Sequence, residues 1–322
     1  MECVTVLLAT YNQEQYIYQA IDSILMQDYG NIQLIIADDC SNYFDVEVIS
    51  RYVAQRKKEN IIEVQVVKSK TNVGTVRNLN NARKYILGRY LVLLAGDDMF
   101  YNNKTLTNYV EAFAKQQEDV GILISQVFHY DSKMEKIMYP CVTEEQKSII
   151  NCGDNSKLYG YLCMDCFLPA IGSAYDMQIV GKYGDFDERY YLVEDWPYYL
   201  KLIRNGVGVR YEEFISAKHR DGGVSHNKKD RVSQRNDRYH RDLIAIMQNE
   251  ILENYHFAPE KLRHKIYVNA NDRVVISDFR KNFSNMGIKQ KIKWILKHYY
   301  LPGIIVRGIG RRLSFVDKHN TI

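Results

Sequence analysis

Three adjacent carboxylate pairs, Asp38-Asp39, Asp97-Asp98 and Glu194-Asp195, are the residues of this 322-residue chain best suited to chemistry. A pair such as Asp97-Asp98 suits a hard divalent cation, magnesium or manganese, which takes oxygen ligands and completes a sparse protein shell with phosphate oxygens. The plainer alternative is a turn, since Gly-Asp-Asp is ordinary turn chemistry. Asp38-Asp39 precedes Ser41 and suits either a contact to the ribose or base of a nucleotide or a helix cap. The run 72–78, Asn-Val-Gly-Thr-Val-Arg-Asn, offers close backbone approach at Gly74 and a guanidinium at Arg77 that could answer phosphate charge. A loop with a solvated arginine is its bland reading. Glu194-Asp195 stands at an expected helix start, where the dipole favours carboxylates; a general base for a hydroxyl is the functional alternative.

These groups need a scaffold, and the hydrophobic pattern supplies one. Strand-like apolar runs are expected at 4–9, 32–37, 61–67 and 90–95, separated by helical spacings at 15–27, near 46–53 and at 75–86. Continuous apolar runs mark parallel strands covered on both faces, and strands alternating with helices imply right-handed βαβ units in a mostly parallel, Rossmann-like α/β sheet. Such sheets bind ligands beyond the C-terminal ends of their strands. The polar segments Thr10-Tyr11-Asn12, Asp38-Asp39 and Asp97-Asp98 fall at those ends. No GxGxxG follows the first strand and no GxxxxGK[ST] occurs, which argues against a dinucleotide dehydrogenase or a P-loop enzyme. Further on, a helix is expected at 106–113, a strand at 121–128 and a helix over 191–205. The stretch 131–184 looks irregular, and the chain past 225 looks largely helical.

Taken in order, Ala9-Thr10-Tyr11-Asn12, Ile36-Ala37-Asp38-Asp39-Cys40-Ser41, Asn72-Val73-Gly74 with Arg77-Asn78, Leu94-Ala95-Gly96-Asp97-Asp98 and Glu194-Asp195 resemble family 2 glycosyltransferases of the GT-A fold, over about residues 1–225. The resemblance implies inverting transfer of a single sugar from a nucleotide-diphosphate donor, usually a UDP-sugar, with a divalent metal on the pyrophosphate. It implies that Ala9, Thr10, Tyr11 and Asn12 line the nucleotide pocket, that Asp39 bonds the base, and that Gly74 and Arg77 lie near the donor. Asp97 would meet the metal and ribose–phosphate with Asp98 beside it, Asp195 would be the base with Glu194 adjacent, and His219 would be a further metal ligand. One departure is Ala95, which stands where the family often has the first Asp of an Asp-x-Asp. The implied division is a nucleotide-sugar-binding half at 1–100, an acceptor-binding half at 101–225 and a helical extension at 226–322. A nucleotidyltransferase and a non-catalytic nucleotide-sugar or glycan-binding module are the rival readings. A processive synthase is disfavoured, because spanning helices and a Gln-x-x-Arg-Trp motif are both missing.

Composition bounds the partners. With 46% hydrophobic and 25% charged residues, the chain has the makeup of a folded protein, and a net charge of +4 gives no reason to expect nucleic acid. The charge is unevenly spread. Residues 287–322 hold eight basic residues and one acid, so the tail carries +7 and the rest −3. Ile288, Ile292, Ile295, Leu296 and Tyr299 share a helical stripe flanked by lysines, the makeup of an interfacial helix on an anionic membrane. A helix packed on the body is the alternative. Bacterial family members that build capsule or lipopolysaccharide act on lipid-linked acceptors, so the resemblance favours a glycan or lipid-linked acceptor and peripheral attachment to the inner face of the cell membrane. Six scattered cysteines and a start without a basic, apolar leader lead us to expect free thiols in a reducing cytoplasm.

Overall fold

The computed structural model describes residues 1–222, 234–282 and Gln290. Its first hundred residues alternate as the hydrophobic pattern requires: β1 (Val4–Thr10), α1 (Ile17–Leu25), β2 (Ile32–Asp38), α2 (Val46–Arg56), β3 (Ile61–Lys68), α3 (Thr75–Arg83), β4 (Tyr90–Ala95) and the short β5 (Met99–Phe100). The period of two along each strand splits its side chains between two cores. Val4, Val6 and Leu8 of β1 join Leu34 and Ile36 of β2 and the buried face of α1, Ile17, Ile21 and Ile24. Leu7 and Ile35 point the other way, into the core that contains Val76 and Leu79 of α3. Each such fully buried Leu or Ile contributes roughly 1.5–3 kcal/mol, and a slip of one register would send each set into the core shaped for the other.

The remaining elements are α4 (Thr105–Phe113), β6 (Val120–Tyr130), β7 (Ile137–Pro140), α5 (Glu144–Ile150), α6 (Asn155–Leu162), β8 (Ser173–Asp176), α7 (Met177–Val180), α8 (Asp195–Arg204), β9 (Gly208–Arg220), α9 (Gln234–Ile246), α10 (Leu252–Asn254) and α11 (Glu260–Asn282). One mixed sheet runs β3-β2-β1-β4-β8-β6-β9-β5, with β7 added to β6. The pairs β3–β2, β2–β1, β1–β4 and β6–β9 are parallel and the others antiparallel. The expected parallel sheet is thus its first half, and the four-residue β8 wedges in antiparallel between β4 and β6. The stretch that looked irregular carries β7, α5, α6, β8 and α7. Its helices are short but capped: Thr143 and Gln146 form a reciprocal capping box on α5, and Asp154 caps α6.

The helices after residue 233 are built into the body. Ile246, Met247, Ile251, Ala258, Ile266 and Ala270 are buried in the same core as Leu7 and Ile35. A single π turn, Met247–Ile251, joins α9 to α10. The basic stripe at 288–299 and the rest of the 287–322 tail lie outside the described residues, apart from Gln290.

Candidate active site

The C-terminal ends of β1, β2 and β4 open into a cleft of about 750 Å³. Ala9, Thr10, Tyr11, Asp39, Gly74, Asp97, Asp98, Glu194, Asp195 and His219 all line it, so residues spread over 210 positions of sequence converge. Asn12 and Arg77 do not line it. Asn12 adopts a positive φ of 52° and ties the first turn to the second, its N–H donating to Ser41 Oγ at 2.8 Å while its side chain accepts from the Asn42 N–H. Arg77 sits on the outer face of α3, more than half exposed, and pairs with Glu188 at 3.3 Å. A helix opening at Thr75 places position 77 a half-turn or so away from the loop that faces the cleft.

Asp38 and Asp39 divide their labour. Asp38 is buried, accepts bonds from the Ser41 backbone and hydroxyl, and has its carboxyl held above the usual range by burial. Asp39 accepts from the Val73 N–H at 2.7 Å and the Gly74 N–H at 2.9 Å, binding the second strand end to the 72–74 loop. Gly74 has φ 89° and ψ 162°, a backbone region essentially restricted to glycine. A Cβ there would stand 2.5 Å from the Tyr191 carbonyl oxygen, and the Val76 N–H donates to that same oxygen at 3.3 Å. The 72–74 loop and the segment leading to Asp195 therefore touch backbone to backbone.

The Asp97-Asp98 turn is buttressed from β9. Asp98 is fully buried. Its carboxylate meets His219 Nδ1 at 3.1 Å and accepts from the Arg220 N–H at 2.9 Å. The Arg220 guanidinium donates to the Asp97 carbonyl, the Ser132 carbonyl and Gln19 Oε1, and lies 4.1 Å over the Tyr16 ring. Burial, then the neighbouring Asp98 charge, push the Asp97 carboxyl well up. Burial disfavours the His219 imidazolium, but the Asp98 charge and hydrogen bond outweigh it and raise its pKa. His129 adds an edge-on ring contact to His219 and stacks on Tyr139. No cluster of three or more His, Cys, Asp or Glu ligands occurs among the described residues. The donor set nevertheless fits a divalent cation: a crowded carboxylate in the cleft, a second one behind it, and an imidazole oriented by that second carboxylate.

Across the cleft, Glu194 ends the 187–194 loop and Asp195 opens α8. Asp195 accepts from the Trp196 N–H at 2.7 Å, and Trp196 is itself anchored through Nε1 to the Leu162 carbonyl at 2.9 Å. Burial raises the Asp195 carboxyl, and burial plus the Asp195 and Asp242 charges raise Glu194. A carboxylate that costs energy to keep ionised is a better proton acceptor than an ordinary surface aspartate.

Sequence reasoning reached His219 at the end of β9 but not the strand itself, and it gave no site role to His129 or Tyr191. Only β9 had a local signal, a β-rich 13-residue run ending in His219 and Arg220.

Residues 5–161 match the model of "Glycosyl transferase family 2". Over that segment, just under half of its length, the chain is similar to glycosyl transferase family 2. Among curated relatives, this transferase is 27% identical over 239 residues to the UDP-Glc:alpha-D-GlcNAc-diphosphoundecaprenol beta-1,3-glucosyltransferase WfaP of Escherichia coli, covering 73% of the chain and 85% of WfaP. It is 25% identical over 130 residues to the glycosyltransferase GlyG of Streptococcus pneumoniae, and that match spans only 40% of each protein. Among solved structures it resembles S. aureus TarS 1–349 in complex with UDP-GlcNAc, at TM-score 0.60 and 18% identity over 92% of this chain and 79% of that one. It also resembles the mannosyltransferase PcManGT from Pyrobaculum calidifontis in complex with GDP-Man and Mn2+, at TM-score 0.59 and 16% identity over 95% and 86%. The transferase has the GT-A fold those neighbours share. Among the described residues no helix is long and apolar enough to cross a membrane.

Proposed function

We propose that this transferase moves a single sugar from a UDP-sugar to a glycan or lipid-linked acceptor in cell-surface polysaccharide synthesis, with inversion at the anomeric carbon. The observation that carries the reading is the meeting of Thr10, Tyr11 and Asp39, the Asp97-Asp98 turn and Asp195 around one cleft. Names of relatives agree with it: WfaP acts from UDP-Glc onto a diphosphoundecaprenol-linked acceptor, and TarS binds UDP-GlcNAc.

In this reading Thr10, Tyr11 and Asp39 hold the nucleotide, and Asp97 with His219 holds a divalent metal, magnesium or manganese. His219 would ligate through Nε2, since its Nδ1 faces Asp98. The metal, when bound, supplies Lewis-acid stabilisation of charge on the departing nucleotide diphosphate. Asp195 takes the acceptor hydroxyl proton as the oxygen attacks from the face opposite the leaving group. Glu194, held more nearly neutral, keeps a second full charge away from Asp195. We read residues 1–100 as the donor half, 101–225 as the acceptor half and 226–322 as a helical region whose basic end rests on the anionic inner face of the cell membrane.

The test is release of nucleotide diphosphate from a panel of UDP- and GDP-sugars, with and without manganese and with a diphosphate-lipid-linked sugar acceptor. Acceptor-stimulated UDP release with manganese is expected. No release from any donor, with UDP still bound, would leave a non-catalytic sugar-nucleotide module in its place.

A further inference from the structure

The approach to Asp195 is held by a residue from outside the sheet. Tyr191, Leu192 and Val193 aim three consecutive backbone N–H groups at one oxygen, Asp242 Oδ2, at 2.9, 2.6 and 3.2 Å. Asp242 lies on α9, and only 6% of it is exposed. Burying a lone carboxylate costs several kcal/mol, and charge-assisted bonds from a nest of amides are what offset that cost. The segment has no helix or strand bonding of its own, so without Asp242 three amides would lose their partner. A second tie runs in parallel: Arg189 of the same loop bonds Glu250 Oε1 at 2.6 Å, and the buried Glu250 also meets Arg204 of α8 at 3.5 Å.

We propose that Asp242 is a positioning residue for the transfer step, fixing Tyr191–Val193 and thereby the place of the Asp195 carboxylate over the acceptor. This rests on the reading of Asp195 as the base. Helix α9, whose Arg238, Tyr239 and Leu243 also line the cleft, is then a working part of the active site, and Asp242 contributes geometry from behind that lining.

The test uses the full chain carrying Asp242→Ala or Asp242→Asn, with hydrogen exchange of the 191–193 amides read beside kinetics. Asp242→Ala should lower kcat by about 10- to 100-fold, the scale for misplacing a catalytic group by ~1 Å. Donor KM should stay within about twofold, and the three amides should exchange faster. Asp242→Asn keeps a carbonyl acceptor and should recover part of both effects. A merely stabilising contact would lower the melting temperature and leave kcat of the folded enzyme unchanged; that result overturns the proposal, as does unaltered exchange. If Asp242→Ala does not fold, a wild-type kcat in Asp242→Asn overturns it instead. Asp195→Asn runs alongside: normal turnover there sinks the base assignment, while amide exchange still reports on the Asp242 clamp.

Discussion

Substituting Gly74 by alanine tests whether the 72–74 loop and the segment leading to Asp195 are locked together. Two costs are separable. The backbone at Gly74 (φ 89°, ψ 162°) is glycine territory, and placing a Cβ there costs roughly 1–3 kcal/mol. Gly184 has a closely similar backbone, φ 78° and ψ −165°, but a Cβ there meets nothing within 4 Å. Gly184→Ala therefore pays the conformational cost alone. At Gly74 the Cβ also stands 2.5 Å from the Tyr191 oxygen, about 0.9 Å short of the 3.4 Å at which ordinary contact begins, and 2.8 Å from the Tyr191 ring. Relieving that overlap adds a further ~1–3 kcal/mol, the usual cost of overpacking. At about 2 °C per kcal/mol for a chain of this size, Gly184→Ala should melt some 2–6 °C low and Gly74→Ala up to about twice as low. Only Gly74→Ala should lose turnover, by about 100-fold, because the displaced segment leads directly to Glu194 and Asp195. Thermal melts and UDP-release kinetics on the two variants read both quantities. If the two melt together and Gly74→Ala turns over normally, the backbone contact is not a constraint and the reasoning is refuted.

Asp195→Asn should lower kcat by about 10²–10⁴-fold, the range for a lost general base, with UDP affinity unchanged. For the wild type, the base must be ionised and its pKa is raised by burial. Activity should therefore fall away with decreasing pH at mildly acidic values, above the ordinary aspartate range near 3.9; a limb near pH 4 would count against Asp195. Asp97 is an acid whose pKa the fold raises, so above both its folded and unfolded pKa its ionisation costs stability. Asp97→Asn should be inactive yet about 0.5–2 kcal/mol more stable than wild type at neutral pH without metal, and a destabilised variant in urea melts would contradict the cause assigned here. The 287–322 tail should carry the chain to anionic liposomes in a co-sedimentation assay, weakened by salt; binding retained after deletion of 287–322 would disprove that role.

The first hundred residues were legible because β1, β2 and β4 are covered on both faces and read as continuous apolar runs. Expected bounds 4–9, 32–37, 61–67 and 90–95 differ from β1–β4 by no more than a residue at either end. Polar residues at strand ends then located most of the cleft without any tertiary knowledge. What could not be read locally was pairing across distance. β8 is four residues, Ser-Ala-Tyr-Asp, too short for any periodicity, and its place between β4 and β6 is decided by tertiary packing. Asp242 looks like any acid on a polar helix until its three amides are seen. Arg77 and Asn12 fell within the right motifs, yet one turns outward to Glu188 and the other braces a turn.

The bond between Asp98 and His219 spans 121 residues, and that between Asp98 and the Arg220 amide spans 122. This separation has a consequence during synthesis. The strands β1, β2 and β4, whose ends form one side of the cleft, are complete by residue 95, but the turn bearing Asp97 is not braced until β9 has followed. At 5–20 residues per second, that leaves an interval of roughly ten seconds in which a half-made chain has one wall of the cleft and not the other. The Asp97–Asp98 turn is thus braced only in chains that have reached the end of β9, so a chain cut short before residue 219 lacks that brace.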